Sequence, residues 1–199
     1  MLMTTETARY PHFGPEHDRV YLTDKKWLFS LELNGRDRRY ELVVNAPRGN
    51  RRGKTPPRAE VIYMHPDGTH VLAFANKQVW VIARAPAGAQ APEITLRSGG
   101  LPVKQLTHIG ADYLGWTPDG QDVWWAIGNT FYSRPLASIN DLPSDDSDVD
   151  DDEGGNDVTF VPEDAHAAVA AVKMIVQRPR DKAKGALLIE HAHVISMAG

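Results

Sequence analysis

The side chains able to do chemistry in this sequence are histidines, carboxylates and hydroxyls, because its 199 residues include eight His and no Cys. Thiolate nucleophiles, thiolate zinc sites and disulfide scaffolds are therefore excluded. One histidine pair has ligand spacing, His191-Ala192-His193. On a strand, residues two apart point to one side, so both rings share a face. Catalytic zinc takes about three protein ligands, and none follows in the six residues after His193. The pair is therefore read as surface or inter-strand histidines. Asp148, Asp150 and Asp152 have the alternate spacing of a Ca²⁺ loop. Such a loop needs glycine at its sixth place for the sharp turn. Glu153 stands there, and Gly154 comes one place late. The run reads as a solvated, disordered acidic loop, with ordering by Ca²⁺ as the alternative.

The remaining candidates are dispersed. His12, His17, His65, His70, His108 and His166 form no sequence motif. No Gly-x-Ser-x-Gly nucleophile elbow is present. Arg97-Ser98-Gly99-Gly100 is too short for a phosphate-cradling loop. No catalytic, cofactor-binding or metal-ligating residue is assigned in this chain.

Charge divides the sequence into unlike parts. Residues 141–157 hold nine acids and no Lys or Arg, so the formal −4 of the chain becomes +5 for everything else. Arg48, Arg51, Arg52, Lys54 and Arg58 form a basic stretch among Gly49, Gly53, Pro56 and Pro57. Turn residues and missing apolar periodicity make both stretches loops. The basic one has no aromatic platform or binding motif, so nucleic acid is not expected as a partner. No apolar run approaches the ~20 residues of a membrane-spanning helix, so no membrane is expected either. The start, Met1-Leu2-Met3-Thr4-Thr5-Glu6, lacks the basic and apolar regions of a signal peptide. A chain expressed as it stands is expected in the cytoplasm, but the absence of Cys fits either a reducing or an oxidising compartment, so localisation stays open.

The elements that must position these residues repeat. Pro15-Glu16-His17-Asp18, Pro66-Asp67-Gly68 and Pro118-Asp119-Gly120 each precede an apolar strand, and their prolines are 51 and 52 residues apart. The following strands keep step, with Phe29, Trp80 and Tyr132 at the same two spacings. Pro-Asp-Gly makes a turn: Pro presets φ, Asp bonds nearby backbone, and Gly accepts positive φ. The flanks are rich in Val, Ile, Trp, Tyr and Phe, which suit pleated surfaces. Further strands are expected at Tyr40–Asn45, Glu60–Met64, Ile94–Arg97, Tyr113–Trp116 and Val172–Gln177. Asp164–Val172 is open to a short helix or an irregular lead-in. About four strands in each period of ~50 residues indicate a β-propeller blade. The repeated aromatics read as core between blades rather than a ligand cage.

These residues also carry a resemblance. The run from His12 to Tyr21, with His12-Phe13-Gly14-Pro15-Glu16-His17-Asp18, resembles a segment of the TolB-like (WD40-like, PD40) propeller found in front of certain amidohydrolases. Gln105–Trp116 and Trp125–Tyr132 look like further stretches of it. Pro179–Ile189, leading into Glu190-His191-Ala192-His193-Val194-Ile195-Ser196-Met197, is similar to the join with the first strands of the hydrolase.

The resemblance implies an all-β chain. It would be a partial β-propeller of about three four-stranded blades in an open ring, then the first strands of an amidohydrolase β-sandwich. The expected divisions are blades over 1–141, the acidic loop over 142–157, an outer strand and linker over 158–182, and sandwich strands over 183–199. The implied parent is an imidazolonepropionase-related enzyme whose divalent metal, such as zinc, activates water against amide or cyclic C–N bonds. That family's Pro-Gly-x-Ile-Asp-like segment and His-x-His ligands are unmatched here. Its barrel alone would need at least about 200 more residues. The expectation is a fragment without hydrolase activity, whose partners are the missing blades and hydrolase domain or another protein. The alternative is a non-catalytic TolB-like propeller module for protein–protein interaction.

Overall fold

The computed structural model describes residues 7–24, 27–47, 56–84, 91–97, 102–139, 142, 169–179, 185, 190, 191 and 193. Nearly all of the acidic loop of 142–157, residues 164–168 of the Asp164–Val172 segment, the basic stretch from 48 to 55 and nearly all of the expected sandwich segment lie outside the described residues.

The described chain is all-β apart from one short 3-10 turn, Leu136–Ile139. The first sheet contains β1 (Arg9–His12), β2 (Arg19–Thr23), β3 (Leu28–Glu32) and β4 (Arg39–Asn45). The second contains β5 (Val61–Met64), β6 (His70–Ala75), β7 (Gln78–Ala83) and β9 (Val103–Gln105). The third contains β10 (Tyr113–Trp116), β11 (Asp122–Ile127), β12 (Thr130–Pro135) and β13 (Ala170–Lys173). Each is a meander of antiparallel neighbours, the form of a propeller blade.

The structure departs most from the sequence reading at one strand. The segment expected at Ile94–Arg97 becomes β8 (Glu93–Thr95), which leaves its own blade. It pairs parallel with β4 as a fifth strand of blade 1, placing Val44 beside Ile94. Backbone bonds from Val43 to Pro92 and from Leu96 to Asn45 extend this pairing. The edge of blade 1 is thereby covered, which removes unpaired backbone from solvent. The last strand also sits earlier than the pattern indicated, at Ala170–Lys173 rather than Val172–Gln177.

Turn chemistry sets the hairpins. The carbonyl of His65 accepts from Gly68 N–H at 2.9 Å, and that of Thr117 accepts from Gly120 N–H at 2.8 Å. Asp67 and Asp119 accept from the backbone N–H two residues on, at 2.8 and 3.1 Å. β6 and β7 are joined by Asn76-Lys77, both at positive φ (51° and 64°), the two-residue turn whose twist matches that of paired strands.

Alternation along each strand then divides the core. In β6, Val71, Ala73 and Ala75 face blade 1, where Tyr21, Leu28 and Val44 meet them. Leu72 faces blade 3, with Val79 and Val81 of β7 beside it, against Leu114, Val123 and Trp125. A period of two thus supplies two interfaces from one sheet. Of the repeated aromatics, Trp80 and Tyr132 pack between blades as the repeat expects, whereas Phe29, 2% exposed, is buried on the face of blade 1 turned away from blade 2.

Candidate functional site

β1, β5 and β10 are the first strands of their blades and sit at the same end of the three sheets. Together they line a cleft of about 890 Å³. Its wall is largely aromatic, with Tyr10 and Phe13 from blade 1, Tyr63 from blade 2, and Tyr113, Trp116 and Trp124 from blade 3. Phe13 is 62% exposed and Tyr113 70% exposed, so the two lips present open ring faces.

Histidine fixes the join between blades 1 and 2. His12 Nε2 accepts from Met64 N–H at 2.8 Å, and its Nδ1–H donates to the Tyr10 carbonyl at 2.9 Å. The backbone therefore selects the neutral Nδ1–H tautomer. Burial pushes the imidazole pKa down to about 4, against a smaller opposing pull from the Tyr10 carbonyl. The His12 ring also meets Tyr63 edge-on, with centroids 4.9 Å apart.

Tyr10 has an unusual backbone. Its φ is +57°, and the pairing of β1 with β2 shifts register between Arg9 and His12. A bulge of this kind re-aims a side chain, and a bulky residue at positive φ holds strain that its surroundings must support. Its ring turns into the cleft and meets Tyr63 edge-on at 6.2 Å.

A second histidine joins blades 2 and 3 at the rim. His65, 4% exposed, contacts Asp67 through Nδ1 and the Gly120 carbonyl through Nε2 at 2.8 Å. Trp116 meets its ring edge-on at 4.6 Å. The glycines of the repeated turns explain the fit. A β-carbon on Gly68 would lie 2.9 Å from Pro15 Cγ, and one on Gly120 would lie 2.7 Å from the His65 ring. Each turn thus packs against the turn of the blade before it.

Of the other residues singled out in the sequence, His17 is exposed and lines the same cleft as His12, while His108, His191 and His193 are exposed away from it. His70 is lowered in pKa by burial and by His65 nearby, and its ring lies 5.9 Å from that of His65. His166 and the Asp148–Gly154 run lie outside the described residues. Among the described residues no group of three or more His, Asp or Glu is placed to hold a metal ion. Two residues that the sequence reading passed over, Tyr10 and His12 as a bridge, depend on the bulge in β1, which has no short-range sequence signal.

Three sheets in chain order, with their first strands around one cleft, define a β-propeller-type module. No family model matches the chain, and no curated protein matches it. Solved structures similar to it include a candidate 6-phosphogluconolactonase from Bacteroides uniformis, with 15% identity, TM-score 0.36, and 69% of this chain and 39% of that one covered. Another is the β-propeller domain of Cps50 (Swd1) from Myceliophteria thermophila, with 9% identity, TM-score 0.36, and 65% and 40% covered. A third is the dihydro-heme d1 dehydrogenase NirN in complex with DHE, with 12% identity, TM-score 0.31, and 67% and 35% covered. The chain spans about two fifths of the length of the first two and about a third of the third.

Proposed function

We propose that this chain acts as a non-catalytic β-propeller module that binds a protein partner through the cleft formed by β1, β5 and β10. The observation that carries this reading is the aromatic wall supplied by three blades, with Phe13 62% and Tyr113 70% exposed. Contiguous open aromatic surface marks interaction sites on soluble folds, and aromatic side chains anchor protein interfaces. Half-buried His12 and buried His65 are engaged in hydrogen bonds between blades. A displayed peptide library selected on the full chain tests the reading. Selected peptides are expected to lose binding to the Phe13→Ala/Tyr113→Ala double variant by about tenfold or more, the loss of roughly 1.4 kcal/mol. Equal binding to a folded double variant places the partner surface elsewhere and refutes the reading.

A second reading attaches the module to a TolB-like, metal-dependent amidohydrolase. It is supported by the resemblance of Pro179–Met197 to that family's propeller–hydrolase join. On this reading the metal and substrate belong to the hydrolase domain, and the residues of this chain perform no hydrolysis. A gene that continues past the Gly199 codon into Pro-Gly-x-Ile-Asp-x-His-x-His supports it; unrelated downstream sequence removes it.

A further inference from the structure

The cleft has a charge as well as a shape. Among the described residues that line it are two carboxylates, Glu60 and Asp112, and no Lys or Arg. Two histidines, His12 and His17, also line it, and burial keeps His12 unprotonated down to about pH 4. This negative character is local, since the chain outside the acidic run carries a net +5 from the same formal count. The carboxylates come from different blades. Glu60 precedes β5, and Asp112 precedes β10, where its Oδ2 accepts from Gly128 N–H at 2.7 Å. That bond uses one oxygen and orients the group.

Aromatic rings add a second attraction for cations. A ring face carries a negative quadrupole and draws an ammonium or guanidinium placed over it. Tyr113 directly follows Asp112, and its ring is 70% exposed. Tyr10 enters the same cleft only because the chain accepts φ +57° at the β1 bulge. Strain kept at a ligand-sized opening is a recognised mark of a functional position. The volume, about 890 Å³, admits a long side chain with part of its backbone.

Resting on the binding reading above, we propose that the occupant of this cleft is a protein segment bearing an exposed lysine or arginine, its cationic head held among Tyr10, Tyr113, Glu60 and Asp112. The aliphatic stem of the side chain runs over Phe13 and Tyr63, as long basic side chains do over apolar surface. Charge complementarity selects the head, and aromatic area supplies the contact.

The test uses acetylated, amidated Gly-Gly-Lys-Gly-Gly and its arginine and norleucine counterparts, together with tetramethylammonium chloride. Each is titrated into the full chain while the tryptophan indole and backbone NMR signals are followed. The lysine or arginine peptide is expected to bind about tenfold tighter than norleucine, the equivalent of roughly 1.4 kcal/mol. Shifts are expected to centre on Tyr113 and Trp116, and raising salt is expected to weaken binding. Glu60→Gln and Tyr113→Ala are each expected to reduce affinity at least about threefold, within the range of single cation–π and charge contacts. Unchanged thermal melting of these variants establishes that they are folded.

Equal binding of the norleucine peptide overturns the proposal. Tetramethylammonium binding as tightly as the lysine peptide overturns the choice of a protein segment in favour of a free ammonium ligand. Failure of every cation probe, while library-selected peptides still occupy the cleft, refutes this inference and leaves the binding reading standing.

Discussion

At His12 the backbone decides the protonation state. One ring nitrogen receives Met64 N–H and the other donates to the Tyr10 carbonyl, so a second proton would break the bridge between blades 1 and 2. The native pKa lies near 4 against an ordinary 6.5. The unfolded chain therefore takes up its proton first as pH falls. The stabilisation is complete above about pH 6.5, declines through the interval below it, and is gone near pH 4, where the native ring also protonates. Its size is on the order of 3 kcal/mol, from about 1.4 kcal/mol per pH unit. The His12 Cε1–H NMR signal is expected to titrate near pH 4. A His12→Asn variant is expected to lose most of this pH dependence in urea unfolding. A midpoint near 6.5 contradicts the bridge. Sequence reading saw His12 as one of several scattered histidines, because its partner is a backbone N–H 52 residues away.

Among the elements, the turns carry the repeat into three dimensions. Gly68 and Gly120 both need positive φ, at +78° and +71°, and both press on the preceding blade. Gly128 also has positive φ, +56°, with nothing within 4 Å. The two demands can therefore be separated. Gly128→Ala is expected to cost about 1–2 kcal/mol, the backbone share alone. Gly120→Ala is expected to cost about 2–5 kcal/mol, because overpacking of roughly 1–3 kcal/mol against His65 is added. Urea denaturation of the two variants measures the difference, and equal costs contradict turn-on-turn packing. These turns and the hairpins after them were legible in the sequence, since Pro-Asp-Gly and alternating Val, Trp and Phe act locally. The destination of β8 was not. Three residues, Glu93–Thr95, are too few to reveal a partner, and β4 of the neighbouring blade is chosen by tertiary packing. The bulge that turns Tyr10 inward is hidden for the same reason.

At the scale of the whole molecule, the 51–52 residue period becomes a set of equivalent faces. Positions that face the next blade in blades 1 and 2, such as Leu28 and Val79, are fully buried. Their counterpart in blade 3 is Phe131, which stacks on Trp124 at 5.6 Å and remains partly exposed, beside Val172 at 58%. Blade 1 closes its other face itself, with Leu22, Phe29 and Leu31 buried and the Arg38 guanidinium 3.9 Å over the Phe29 ring. Blade 1 also has His17 where the later turns have glycine, so its turn lacks the glycine that seats Gly68 and Gly120 on a preceding blade. The module thus has a closed first blade and an open third one, with the cleft on its inner edge. That order depends on the turn of one repeat resting on the turn of the last.

A single cross-link tests this arrangement most directly. The chain has no cysteine, so a Pro15→Cys/Gly68→Cys pair reports without background. A β-carbon on Gly68 lies 3.2 Å from Pro15 Cβ, close to the ~3.5–4.5 Å that a disulfide spans. Under mild oxidation of the folded double variant, peptide mapping is expected to show an intramolecular 15–68 disulfide, while a Pro15→Cys/Gly128→Cys control stays reduced. A folded double variant that remains reduced, or that links only between molecules, contradicts the stacking of repeats into blades around one cleft.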